Sequence, residues 1–111
     1  MGYSIGTEDL TRKLWRKLVA EFLGTMMLVI YGCGTSMQIN GDGYVTKVSL
    51  AFGLAVMAIL CFTGHVSGGH LNPAVSVGLL AGGQLSLIKC SLYIVTQCLG
   101  AVAGETKHRF V

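Results

Sequence analysis

The run from Gly64 to Gly78, G-H-V-S-G-G-H-L-N-P-A-V-S-V-G, restricts this chain more than any other stretch. It follows an apolar segment long enough to cross a bilayer, yet it is crowded with glycine and polar groups. Pro73 is the only proline in the chain. Its ring pushes Asn72 out of the helical region and into an extended one. Pro73 itself has a fixed φ and no N–H to lose, which suits the first position of a helix. Asparagine is among the preferred N-cap residues. The local expectation is a loop ending at Asn72 and a helix opening at Pro73. Gly82 and Gly83 close that helix after roughly ten residues, or about 15 Å. This is half of a hydrocarbon core of about 30 Å. Irregular backbone before a half-length helix is tolerated at membrane depth only when buried in protein or lining a water-filled path. The free N–H groups and the positive dipole end would point at that path.

Composition places the rest of the chain in a bilayer. Of its 111 residues, 52% are hydrophobic and 12% charged, against about 25% charged in soluble domains. Mean hydropathy is +0.65. A scattered formal charge of +3 does not suggest nucleic acid. Cys33, Cys61, Cys90 and Cys98 all lie in apolar segments without a C-x-x-C. They read as small buried hydrophobes and imply no disulfide framework. The mixed charges before residue 18 do not form a cleavable signal peptide. Gly6 occupies the position that a myristoylation pattern at Gly2 reserves for Ser or Thr. No nucleophile–base pair or paired carboxylates stand out, so an enzyme is not expected, and no cofactor is implied.

Residues 1–17 form a polar leader. Arg12, Lys13, Arg16 and Lys17 lie close to one helical face, with Trp15 placed for the headgroup level. Leu18 to about Met37 is the first spanning segment. It holds one acid, Glu21, which should face the bundle interior because a carboxylate toward lipid is costly. The alternative is that Glu21 snorkels to the nearby interface. Gln38 to about Tyr44 is a turn through Asn40-Gly41-Asp42-Gly43. Its acids are not at the alternate positions of a calcium loop. Val45 to about Thr63 is the second spanning segment, with Phe52 about two turns in; packing is the plain reading of such an aromatic. Gly64 to Leu71 is a re-entrant loop, in which Gly68 and Gly69 allow tight turning. Cys61, His65 and His70 fit no common zinc spacing and supply only three ligands, so no metal is expected. Capping of the preceding helix is the plain role for His65. Leu85 to Gly104 is the third spanning segment. Gly100 with Gly104, and Gly78 with Gly82, form G-x-x-x-G pairs that favour close helix packing. Arg12, Lys13, Arg16, Lys17 and Lys89 fall on one side; Lys47, Lys107 and Arg109 fall on the other. This bias puts the N-terminus in the cytoplasm and the C-terminus outside.

Ser49 to Val56 (S-L-A-F-G-L-A-V), followed by Gly64 to Ser76, resembles the first half of an aquaporin. Asn72-Pro73-Ala74 corresponds to that family's signature triplet, and Ala20 to Thr25 (A-E-F-L-G-T) to its first helix. The tripeptide alone is weak; the surrounding run makes the resemblance specific. It covers roughly Leu14 to Gly104, and Glu105 to Val111 does not resemble the family. The resemblance implies an all-α membrane protein with three transmembrane helices plus one re-entrant half-helix, half of an inverted-repeat bundle. It assigns Asn72, Pro73 and Ala74 to the pore. It assigns the carbonyls of Gly68, Gly69, His70 and Leu71 to an acceptor ladder for water. It makes Glu21 a brace for the re-entrant loop and Phe52 one wall of the narrowest filter, where phenylalanine favours water over glycerol.

One repeat is expected here, in a truncated or alternatively spliced product without the second Asn-Pro-Ala loop, the filter arginine or its opposing histidine. One half-helix supplies half the cation barrier, and three helices leave an open side. Two functions follow. The first is a passive water channel, of which the chain carries half. The second is a non-conducting membrane protein that associates with full-length aquaporins. Expected partners are water, membrane lipids, and self or full-length aquaporins in the family's tetramer. Localisation is expected in the plasma membrane.

Overall fold

The computed structural model describes residues 7–110, with side chains from 11 to 109. The Gly2–Gly6 reading, Val111 and the side chains of Glu8 and Asp9 lie outside them. The described residues form helix α1 (Thr7–Leu28), a π-helical turn (Val29–Cys33), α2 (Gly34–Gln38), α3 (Tyr44–Ser67), α4 (Pro73–Ala81) and α5 (Leu87–Phe110). Three stretches, Thr11–Gln38, Tyr44–Ser67 and Leu87–Arg109, are long and apolar enough to span a membrane. The all-α membrane fold with a half-length helix between the second and third spans is the one expected.

Boundaries differ from expectation in three places. α1 begins at Thr7, inside the leader. No Gly or Pro interrupts residues 7–23, and Leu10, Leu14 and Leu18 recur at four-residue spacing, so nothing stops the helix. α3 runs past Thr63 to Ser67, because a single glycine such as Gly64 is tolerated in a helix. The loop is therefore shorter than Gly64–Leu71 and starts at Gly68. α5 continues through Glu105–Phe110; an exposed i,i+4 pair, Glu105–Arg109 at 3.8 Å, lies on that last stretch and adds little. In the turn, Gly41 and Gly43 take φ of 85° and 75°, as the Asn-Gly-Asp-Gly run predicts.

α1 is the central element. It packs on both α5 and α3, while α4 packs on α5. Between apolar helices in lipid, close approach of backbones replaces the hydrophobic drive. Gly100 supplies it, since a Cβ there would strike the Phe22 carbonyl; one at Gly104 would lie 2.8 Å from the Met26 oxygen. The second glycine pair differs: Gly78 has nothing within 4 Å of its Cβ direction, and Gly82 meets only α4's own carbonyls. The pair at 78 and 82 is thus not a helix contact.

The interior is more polar than the surface. Glu21, Thr25, Thr63, Ser67, Ser76 and Gln97 are buried, while Leu50, Leu54, Met57, Val95, Leu99 and Val102 are exposed. Hydrocarbon accepts the latter group at no cost, and a buried polar cluster needs internal partners. The cysteines correct an expectation. Only Cys90 is buried; Cys61 and Cys98 are exposed and Cys33 is intermediate. Apolar helices that face lipid place thiols on the outside as readily as inside.

Candidate functional site: the re-entrant loop and its brace

The site begins where α3 stops. Gly68 caps α3 with φ of 90°, and its N–H donates to the Gly64 carbonyl. Gly69 follows with φ of 64°, then Leu71 with φ of 57°. A positive φ costs leucine about 1 kcal/mol or more, so tertiary contacts hold Leu71 there. Its side chain is buried and inserts against Gly24 of α1, where a Cβ would collide with it. Gly69 is needed for space as well as turning, because a Cβ there would strike Leu60.

Asn72 is extended, with φ −157° and ψ 127°. Its Oδ1 accepts the Ala74 N–H at 2.8 Å, and its backbone oxygen accepts from Ser76 N–H at 3.2 Å. Pro73 opens α4. The helix is nine residues long and ends at Ala81, after about 14 Å. The end is a Schellman arrangement: Gln84 N–H donates to Leu79 O at 2.9 Å and Gly83 N–H to Leu80 O at 3.0 Å, with Gly83 at φ 74°.

Behind the loop lies Glu21, fully buried in the middle of α1 rather than snorkelled to an interface. Its Oε1 accepts from Ser67 Oγ at 2.7 Å and from His70 N–H at 2.9 Å. Its Oε2 accepts from Leu71 N–H at 2.8 Å and from Gln97 Nε2 at 2.7 Å. Four donors, with no cation among the described residues, therefore stabilise the carboxylate and satisfy most of its lone pairs. Gln97 Nε2 also donates to Ser76 Oγ at 3.2 Å, and Ser76 Oγ lies 2.9 Å from His70 Nδ1. Tyr93 donates to the Ser67 carbonyl at 2.8 Å, and its ring stands 4.8 Å from that of His70. α1, α3, α4 and α5 all meet in this network.

The brace sorts the loop by polarity. Its amides turn inward: Gly69 N–H to Ser67 Oγ at 3.1 Å, His70 and Leu71 to Glu21. Among the described residues, no donor takes the carbonyls of Gly68, Gly69, His70 or Leu71. The Asn72 side chain is exposed, and its Oδ1 is spent on the cap, which leaves Nδ2 without a partner among the described residues. The loop thus leaves unpaired acceptors next to the N-terminus of α4.

Phe52 lies elsewhere. It is half-buried on α3, about 22 Å along the helix from Ser67. Its ring seats on Gly32 of the π-helical turn, where a Cβ would overlap it. His65 is exposed in the last turn of α3, and Ala74 is exposed at the start of α4. Ser67, Ser76, Tyr93 and Gln97 were not anticipated. Gln97 had a signal, an amide within an apolar span; the serines and the tyrosine had none.

Similarity to known proteins extends over most of the chain. The family model described as "Major intrinsic protein" matches residues 8–109. The lens fiber major intrinsic protein of Ovis aries is 46% identical over 91 residues, 81% of this chain and 35% of that protein. The Lithobates pipiens and Homo sapiens proteins of that name are 47% and 44% identical over the same length. The chain thus spans about a third of these relatives, 35%. Among solved structures, the aquaglyceroporin from Plasmodium falciparum aligns with a TM-score of 0.77 at 35% identity, covering 85% of this chain and 40% of that one.

Proposed function

The chain belongs to the major intrinsic protein family, and from that premise we propose that residues 18–104 form half of a passive water channel of the aquaporin type. The observation that carries the reading is the polarity split of the loop. Water both donates and accepts. It would pass the carbonyls of Gly68, Gly69, His70 and Leu71 as a donor, then accept from the Asn72 amide. Pro73 and Ala74 open the half-helix whose N-terminus adds positive potential there, which disfavours cations. Glu21 holds the loop from behind. Phe52 narrows the path at the far end, and phenylalanine rather than tryptophan supports water over glycerol. No bond is made or broken, so the protein is not an enzyme.

Residues 1–111 contain one Asn-Pro-Ala triplet. A closed pore needs the opposing half-helix, from a companion repeat or a full-length relative. The lysine and arginine bias supports an N-terminus in the cytoplasm, with the loop entering from that side. The plasma membrane is the proposed location.

A second reading rests on exposure. Asn72 is exposed, and Val75 and Val77 on α4 are 45% and 50% exposed. An uncovered half-helix of this kind suits a non-conducting chain that associates with full-length aquaporins and alters their assembly. Osmotic swelling of vesicles separates the two. Swelling with this chain alone supports the channel. Silence alone, with slower swelling when a full-length relative is added, supports the modulator.

A further inference from the structure

At the end of the bundle where α1 and α5 begin, Lys13, Lys17 and Lys89 line one cleft of about 380 Å³, walled by Leu14, Leu85 and Ile88. Lys17 and Lys89 come from different helices, yet both line this one cleft. Like charges held together repel. Among the described residues no carboxylate lines this cleft: Glu105 pairs with Arg109 on the last stretch of α5, Glu21 is enclosed in the loop brace, and Asp42 sits in the turn before α3. The first turn of α5 opens on the same cleft, with Ser86 Oγ accepting only the Lys89 N–H at 3.2 Å.

The walls are as informative as the charges. Ile88 is 75% exposed and Leu87 67%, on the flank of a spanning helix that lipid covers. A free phosphate would use the lysines and gain nothing from Leu14 or Ile88. A phospholipid uses both: its phosphate meets the ammonium groups and its acyl chain lies on the apolar wall. We propose that this cleft binds the phosphate headgroup of an anionic phospholipid in the leaflet on the N-terminal side. The site does not depend on water permeation and stands or falls separately from it.

Native mass spectrometry of the full chain, released from phosphatidylcholine nanodiscs containing a minor share of phosphatidic acid, tests the proposal. Wild type retains phosphatidic acid. The double variant Lys17→Gln/Lys89→Gln loses it by roughly thirtyfold, with unchanged helicity by circular dichroism. Lys17→Arg/Lys89→Arg, which keeps the charges, and Lys47→Gln/Lys107→Gln, at the other end, retain it. Equal retention by wild type and Lys17→Gln/Lys89→Gln, or no retention by wild type, overturns the assignment. Displacement of the lipid by inorganic phosphate at a modest excess would give the cleft to a free anion and overturn it too.

Discussion

The carboxylate of Glu21 accepts the backbone N–H of Leu71 at 2.8 Å, joining the middle of the first spanning helix to the tip of a loop fifty residues later. Leu71 has the left-handed φ of 57° and a buried side chain. The loop's unusual backbone is thus fastened at both its amide and its side chain.

Glu21→Gln tests the amide half. The substitution keeps the shape but sets an NH2 group against amides that need acceptors. Losing a hydrogen bond to a charged acceptor and leaving its donor buried should cost about 3 kcal/mol. Denaturant unfolding in detergent reads this. A change under about 0.5 kcal/mol would mean that the brace is not structural.

Leu71→Gly tests the side-chain half. Glycine removes the left-handed penalty of about 1 kcal/mol but leaves a cavity costing about 3 kcal/mol. A net destabilisation of about 2 kcal/mol is expected. A stabilised variant would show that conformational strain outweighs packing at this position.

The two glycine pairs should respond oppositely. Gly100→Val drives a side chain into the Phe22 carbonyl and should destabilise by about 3 kcal/mol, the upper range for overpacking. Gly78→Ala meets nothing within 4 Å and should stabilise α4 by up to about 1 kcal/mol. Thermal unfolding of the two variants side by side is sufficient. Equal effects would contradict the packing described.

Much of this was legible in the residues. Asn72-Pro73 marked a helix start because proline excludes the preceding residue from helix, and Gly82-Gly83 marked its end. Where α3 stops was not legible: Gly64 and Gly68 look alike in sequence, and only the second takes a left-handed φ. The π-helical turn at Val29–Cys33 has no composition signature, and its fit to the Phe52 ring through Gly32 is a tertiary matter. The partners of Glu21 come from α3, the loop and α5, so local spacing could not assemble them. The exposure of Cys61 and Cys98 likewise depends on how apolar faces divide between protein and lipid.

Asn72 combines a cap with an amide Nδ2 that has no partner among the described residues, and two variants separate the cap from the proposed contact with water. Asn72→Ser keeps a capping oxygen and loses the amide; Asn72→Ala loses both and should cost about 1 kcal/mol more in stability. Under conditions where the wild-type chain contributes to vesicle swelling, both should reduce it, and only the alanine variant should unfold earlier. Normal swelling by Asn72→Ser would remove the amide from the proposed water path.

In the proposed channel, backbone leaves helix inside the bilayer and meets water there. Cysteine accessibility in sealed, uniformly oriented vesicles tests it most directly. The four native cysteines are replaced by serine, and a single cysteine is placed at Ala74, at the mouth of α4, or at Met57, exposed on α3. A water-soluble, membrane-impermeant thiol reagent added on the N-terminal side should label Ala74→Cys and spare Met57→Cys. Labelling of Met57→Cys with an inert Ala74→Cys would contradict the account.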